Sequence, residues 1–321
     1  MTDTWQDVLQ QHYAKSPAEL WDHRTHHSEH YFLTYAGDRY VLSRYADQAG
    51  RPPFDHQFTA LAALRQAGFD RVHLPVPTLD GRRHTRVGDH GWVLRHYTDA
   101  DQHTDWTDPT LVSHTAATLA ELHDAGHAVQ PRPLPELDAG TLEPFHWSVG
   151  EFCDRLGRIL TDFPWHQLDP AQERQLRATL DWLTATAADV LGTAAGRGLV
   201  GLTHQDYRPA NLRVRAGRII DVLDWDLART DHQLYDTAFA ALQYGGRECL
   251  FPDIDLGLTQ LFLDRYLLHR GLPDLPTQAP DVLPWMLRFT VCKRLLLGWH
   301  IPARLDLLNR LDRHLPTPQP A

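Results

Sequence analysis

At 321 residues the chain is long enough for about two domains, and its 42% hydrophobic content with ten tryptophans excludes a disordered protein. A formal net charge of -10 disfavours a nucleic-acid surface and mildly favours cationic ligands. Three widely spaced cysteines, Cys153, Cys249 and Cys292, suit neither a disulfide framework nor a metal cluster, so a reducing cytoplasm is the expected setting.

The first residues carry no basic stretch followed by an apolar one, so no secretion signal is expected. Trp5 to Ala14 has helical spacing with polar faces. Ser28 to Tyr35 alternates as a strand, Ala36-Gly37-Asp38 is a turn, and Arg39 to Tyr45 is a second strand. Phe54 to Gly68 places apolar residues at 54, 58, 61 and 64 on one face of a helix that Gly68 ends. His73 to Thr78 reads as extended, followed by an Asp80-Gly81 turn and two strands, Arg83 to Val87 and Gly91 to Tyr97.

Asp99 to Asp108 is polar and acidic and marks a boundary, so the expected units are residues 1–98 and 99–321. Leu111 to Gly126 is a helix with Gly126 just past its end, and His123 on it reads as a core brace. Val129 to Pro144 holds four prolines and is a surface loop. Val149 to Phe163 and Pro170 to Leu191 are helical, as are Ile254 to Arg270, Val282 to Ile301 and Arg304 to Leu315. Arg288, Lys293 and Arg294 interrupt the most apolar of these, which therefore suits a buried amphipathic helix and not a membrane span. Pro316 to Pro320 forms a mobile tail, and no internal repeat is found.

Between these helices lies the stretch with chemistry in it, Thr203 to Trp225. It holds His204-x-Asp206, Asn211, and an apolar run Ile219 to Leu223 that ends in Asp224. Leu212 to Arg215, a turn at Ala216-Gly217, and Arg218 to Leu223 form a β-hairpin that returns Asp224 beside Asn211. Pro209 fixes one backbone torsion between Asp206 and Asn211, which keeps a carboxylate and an oxygen ligand in register. Phosphoryl transfer to a hydroxyl needs that set: a carboxylate near the acceptor and hard oxygen ligands for magnesium.

His204-Gln205-Asp206-Tyr207-Arg208-Pro209-Ala210-Asn211 resembles the catalytic loop of protein kinases, and Leu223-Asp224-Trp225 stands where their D-F-G stands. Trp225 and the run Leu234 to Ala238 are more similar to the small-molecule branch, the aminoglycoside phosphotransferase and choline kinase-like superfamily, with type II homoserine kinases and spore-coat-type kinases nearest in character. The resemblance implies an α+β, bilobal, kinase-like fold, with a small antiparallel-sheet lobe over a mostly helical one. It implies Asp206 as the base, Arg208 as a charge stabiliser, Asn211 and Asp224 as Mg2+ ligands, and His204 and Asp236 as structural braces. Asp226 either faces the acceptor or caps the next segment. The run Ser28 to Tyr45 resembles the nucleotide-covering hairpin, and the backbone from Arg95 through His96 to Tyr97 the adenine-facing hinge.

The first lobe departs from that pattern. No glycine-rich loop precedes the first strand, Ser43 stands at the lysine position with Arg44 beside it, and Asp55 and Gln57 stand nearest the glutamate that would pair with it. Neighbouring strand residues face opposite sides, so Arg44 is either a phosphate contact or a solvated strand charge. Lys15 and Lys293 are the chain's two lysines, which leaves that region without one. The expected activity is ATP- (or other NTP-) dependent phosphorylation of a small hydroxylated metabolite or antibiotic, with neither nucleic acid nor membrane as partner. A pseudokinase-like binding protein is the alternative. Protein kinase activity fits less well, because Asp224 is followed almost at once by Tyr235-Asp236 with no activation segment between.

Overall fold

The computed structural model describes residues 4–16, 18–25, 28–46, 51–101, 104–128, 138, 140–244, 254–298 and 300–314. Helix α1 (Trp5–Tyr13) opens with a reciprocal cap, Thr4 Oγ1 accepting from Asp7 N while the Asp7 carboxylate accepts from Thr4 N. Five antiparallel strands follow in the spatial order β1 (Glu19–Thr25), β2 (Glu29–Tyr35), β3 (Asp38–Tyr45), β5 (His90–His96), β4 (Thr85–Val87). Ala36 and Gly37 both have positive φ, 53° and 87°, the two-residue turn whose twist matches the flanking strands.

Register decides what each face of this sheet does. Leu33, Tyr40, Leu42, Trp92 and Leu94 point one way and close a small core with Val8, Leu9 and Tyr13 of α1. The other face carries Phe32, Val41, Ser43, Val93 and Arg95 and turns toward α2 (Phe54–Gln66). Val93 joins the larger core there with Phe58, Leu61 and Leu64. Gly91 permits the docking of α2: a Cβ at that position would stand 2.3 Å from Phe54 Cε2.

The second half is mostly helical. Helix α3 (Pro109–Ala128) packs along α8 (Leu256–His269), and α4 (Val149–Asp154), α5 (Leu156–Asp162) and α6 (Pro170–Gly196) form the stretch before the functional loop. Two antiparallel ribbons lie against them, β6 (Val200–Thr203) with β9 (Arg229–His232) and β7 (Leu212–Arg215) with β8 (Arg218–Val222). Helix α7 (Gln233–Ala241) and α9 (Leu275–Gln278) complete the frame with α10 (Val282–Leu296) and α11 (Ile301–His314). Every residue of α10 except Pro284 is buried, so its cations need partners: Arg288 Nη2 lies 2.9 Å from the exposed Asp312 Oδ1, and Lys293 Nζ donates to the buried Trp147 carbonyl at 2.6 Å. No helix among the described residues is long and apolar enough to cross a membrane.

The α+β class is as expected, and so are most elements, with instructive exceptions. Strand β1 carries no alternation to read, because six of its seven residues are exposed. Residues 73–78, expected as extended, form no strand but touch the sheet through Val76 N to Leu94 O at 2.8 Å. The helix expected over 149–163 breaks at Arg155, and α10 stops at Leu296 ahead of Gly298, whose φ is 83°. Gly126 lies inside α3, not beyond it: a Cβ there would stand 2.9 Å from Leu202 Cβ, so the glycine allows the close approach of α3 to β6. Most of the proline-rich loop, Cys249 and the C-terminal tail lie outside the described residues.

Candidate active site

Strand β6 ends at Thr203, and the chain turns through Gln205, a non-glycine residue at φ 69°. Two buried backbone N–H groups in that turn, His204 N and Gln205 N, donate to the two carboxylate oxygens of Asp236 at 2.7 and 2.9 Å. His123 Nε2 is 3.1 Å from the same carboxylate, while its Nδ1 meets Tyr266 Oη at 2.7 Å, so α3, α7 and α8 converge under the loop. Burial holds His123 below its usual pKa, against the pull of Asp236.

His204 is fully buried, and its tautomer follows from its partners. Nε2 faces the Leu223 carbonyl at 2.8 Å and must donate; Nδ1 accepts from Asp206 N at 3.2 Å. A neutral imidazole therefore clamps the residue before Asp224 to the backbone of Asp206. Trp225 adds to the clamp, its ring 4.6 Å from His204 and its indole N–H donating to Val222 O at 2.7 Å.

Asp206 is 8% exposed. Asn211 Nδ2 donates to its Oδ2 at 2.8 Å and to its carbonyl at 2.9 Å, and Arg208 Nε donates to the same Oδ2 at 2.9 Å. Burial raises its pKa, while Arg208 and Arg294 oppose the shift. Both of these Asn211 bonds use Nδ2, not its side-chain oxygen. Leu223 N donates to Asn211 O at 2.7 Å, so the hairpin delivers the next residue, Asp224, to the same corner. Asp224 is exposed and left-handed, at φ 62°.

Asp226 lies with these two carboxylates: burial raises its pKa first, then the charge of Asp224, with Asp206 adding and Arg51 opposing. A cation bound at this corner would relieve the repulsion between these carboxylates. Hard oxygen donors around one corner fit Mg2+ chemically, with Asn211 and Asp224 as the side chains that would hold it. Among the described residues no three His, Cys, Asp or Glu side chains form a group that could hold a metal ion.

The covering sheet corrects several expectations. Arg44 is on the α1 side, paired with Glu29 at 3.0 Å and lying over Trp92, so it does not face the cleft. Period-two alternation is the reason: Arg44 follows Ser43, and only Ser43 faces inward. The His96 ring packs against Tyr40 at 4.9 Å between centroids, which leaves the expectation for its backbone untouched. The Tyr97 N–H donates to Arg39 O at 2.9 Å, which removes it as an adenine donor, while the Tyr97 ring stands with Trp21 and Phe32 at the cleft edge. Ser28 Oγ is engaged with His30 Nε2 at 2.8 Å. Asp55 is 88% exposed, whereas Gln57 is buried and lies 3.5 Å from Arg95 Nη2.

Asp231 escaped the sequence reading. It is buried, and accepts from Gln205 Nε2 at 3.1 Å, from Val149 N at 3.0 Å and from His232 N at 2.8 Å, joining the loop to the start of α4. No motif marks it; its position five residues before Asp236, on the strand paired with β6, was the available signal. A surface depression of about 940 Å³ between α3, β8 and α8 contains none of these side chains.

The profile of the phosphotransferase enzyme family matches residues 24–266, three quarters of the chain and all of the site except Arg294. The chain belongs to that family. Solved structures of similar fold include a microcompartment-associated aminopropanol kinase (20% identity, TM-score 0.65, covering 95% of this chain and 93% of that one). Another is an aminoglycoside phosphotransferase from Alicyclobacillus acidocaldarius (18%, 0.62, 95% and 91%), and a third an amicoumacin kinase solved with AMP-PNP, Ca2+ and its antibiotic (15%, 0.64, 98% and 93%). No curated protein matches. For this phosphotransferase the neighbours establish the bilobal kinase-like fold, and the family a small-molecule kinase.

Proposed function

We propose that this phosphotransferase moves the terminal phosphoryl group of ATP, or another nucleoside triphosphate, to the hydroxyl of a small metabolite or antibiotic, in the cytoplasm. The observation that carries the reading is the convergence of Asp206, Asn211 and Asp224 on one corner, braced from behind by Asp236 and His204. In this reading residues 1–98 cover the nucleotide and 99–321 supply the chemistry.

Asp206 acts as the base. Both its side-chain hydrogen bonds go to Oδ2, which leaves Oδ1 to accept the acceptor's hydroxyl proton, and Arg208 holds the carboxylate in place. Mg2+, held by Asn211 and Asp224, would neutralise phosphate charge. Arg208, half-exposed, is near enough to exchange Asp206 for a phosphate oxygen as charge develops. Asp226 faces the same corner and belongs to the acceptor side.

The test is calorimetric binding of ATP and GTP with and without Mg2+, followed by turnover on amino alcohols, sugars, aminoglycosides and an amicoumacin-type antibiotic. No measurable binding of any nucleoside triphosphate removes the proposal. Asp206→Asn is expected to fold normally and lose turnover by about a hundredfold or more. The second reading, a regulatory binding protein, draws on the neutral Ser43 hydroxyl bonded to His30 at 2.9 Å; nucleotide binding without turnover on any acceptor would favour it.

A further inference from the structure

The sheet face turned to α2 carries a half-buried cation, Arg95, whose role the loop chemistry leaves open. Cross-strand register puts Phe32, Val41 and Arg95 in one row and His30, Ser43 and Val93 in the next, all on the face turned to α2. The second row offers a nucleotide no charge. Ser43, 1% exposed, meets His30 Nδ1, and His30 Nε2 meets Ser28 Oγ, a chain of neutral groups; burial and then Arg95 hold His30 below its usual pKa.

Arg95 has the opposite character. Its Nη1 donates to Tyr45 Oη at 3.2 Å and its Nη2 to Gln57 Oε1 at 3.5 Å, both uncharged oxygens. Among the described residues no carboxylate is within ion-pair distance of it. Burial disfavours its charge, but Tyr45 and then the carboxylates of Asp224 and Asp221 raise its pKa above the ordinary value, so the guanidinium stays charged. A half-buried guanidinium with two long bonds to neutral oxygens has donors left over, and its planar five-donor fork is suited to phosphate oxygens.

We propose that Arg95 grips the α- and β-phosphate oxygens of the nucleotide from β5, with Tyr45 and Gln57 as positioning residues, so that Ser43 on β3 has no phosphate to hold. The assignment rests on the nucleotide-binding reading above and names the residue that makes it work. It differs from the hinge role expected from sequence, because the side chain, not the backbone, is the contact.

The experiment is calorimetry on the full-length protein with Mg2+, comparing adenosine and ADP on the wild type, Arg95→Met and Arg95→Lys. Loss of a charge-assisted contact is expected to weaken ADP about 10- to 100-fold in Arg95→Met and leave adenosine within about threefold. Arg95→Lys, keeping a cation without the fork, is expected to weaken ADP by about tenfold or less. A purely structural brace predicts equal losses for adenosine and ADP; equal losses, or unchanged ADP affinity, overturn the assignment. If Arg95→Met does not fold, Gln57→Leu takes its place, and unchanged ADP affinity in both Gln57→Leu and Arg95→Lys overturns it as well. A wild type that binds neither ADP nor ATP sinks the parent reading too, whereas a wild type that binds ADP with no selective loss in the variants sinks this assignment alone.

Discussion

The carboxylate of Asp236 accepts the N–H groups of His204 and Gln205 and faces the His123 ring, and all four residues are buried. Removing it strands two backbone donors away from water, so Asp236→Ala is expected to cost about 3–5 kcal/mol in urea unfolding. A loss below about 1 kcal/mol would mean that the loop is held elsewhere. Among the cations, residue type alone was a poor guide. Arg44 stands next to the lysine position in sequence and faces the wrong side, while Arg95, fifty residues away, shares the inward face with Ser43. Arg208 forms its ion pair with Asp206, a contact that spacing of two residues in a turn permits and that periodicity does not announce.

Helix α2 owes its position to a single missing side chain. Gly91 on β5 lets the Phe54 ring settle on the sheet, where it also meets Tyr45 edge-on at 5.2 Å, and Phe54 begins the helix that carries Gln57 and His56. His56 Nε2 in turn donates to the Ala228 carbonyl at 2.8 Å, just beyond the Asp224–Asp226 corner. Gly91→Ala is therefore expected to destabilise by about 1–3 kcal/mol through overpacking, read from the denaturation midpoint, and to weaken ADP binding as Gln57 shifts. Unchanged stability would show that Phe54 repacks without moving the helix. Elements with a strong local signal, such as the β2–β3 and β7–β8 hairpins with their Ala-Gly turns, were legible from sequence. Strand β1 was not, because an exposed edge strand gains its structure from the neighbour that it pairs with and not from its own pattern.

The two halves of the molecule are stitched by the segment after α2. Val222 N donates to Arg71 O at 2.9 Å, and His73 Nδ1 lies 3.0 Å from Asp221 Oδ1 on β8. The bond to Asp221 raises the His73 pKa above its ordinary 6.5, against burial. A raised histidine contributes its stability in full below the unfolded value near 6.5 and loses it as pH climbs through the folded value. His73 is 42% exposed, so the contribution is small. Unfolding of the wild type and His73→Gln from acid to alkaline pH is expected to show a stability gap that closes as pH rises; a gap that widens contradicts the pairing.

Local chemistry settled the turns, the helix periodicities and the 204–211 loop with its family, since short polar side chains, glycine and proline act on the backbone within a few residues. Which cation meets the phosphates, which glycine admits a neighbouring helix and which carboxylate anchors the loop depended on contacts between residues tens to more than a hundred positions apart. Such contacts exist only once the strands have taken a register and the helices have packed, because a one-residue slip in register sends each side chain to the opposite face.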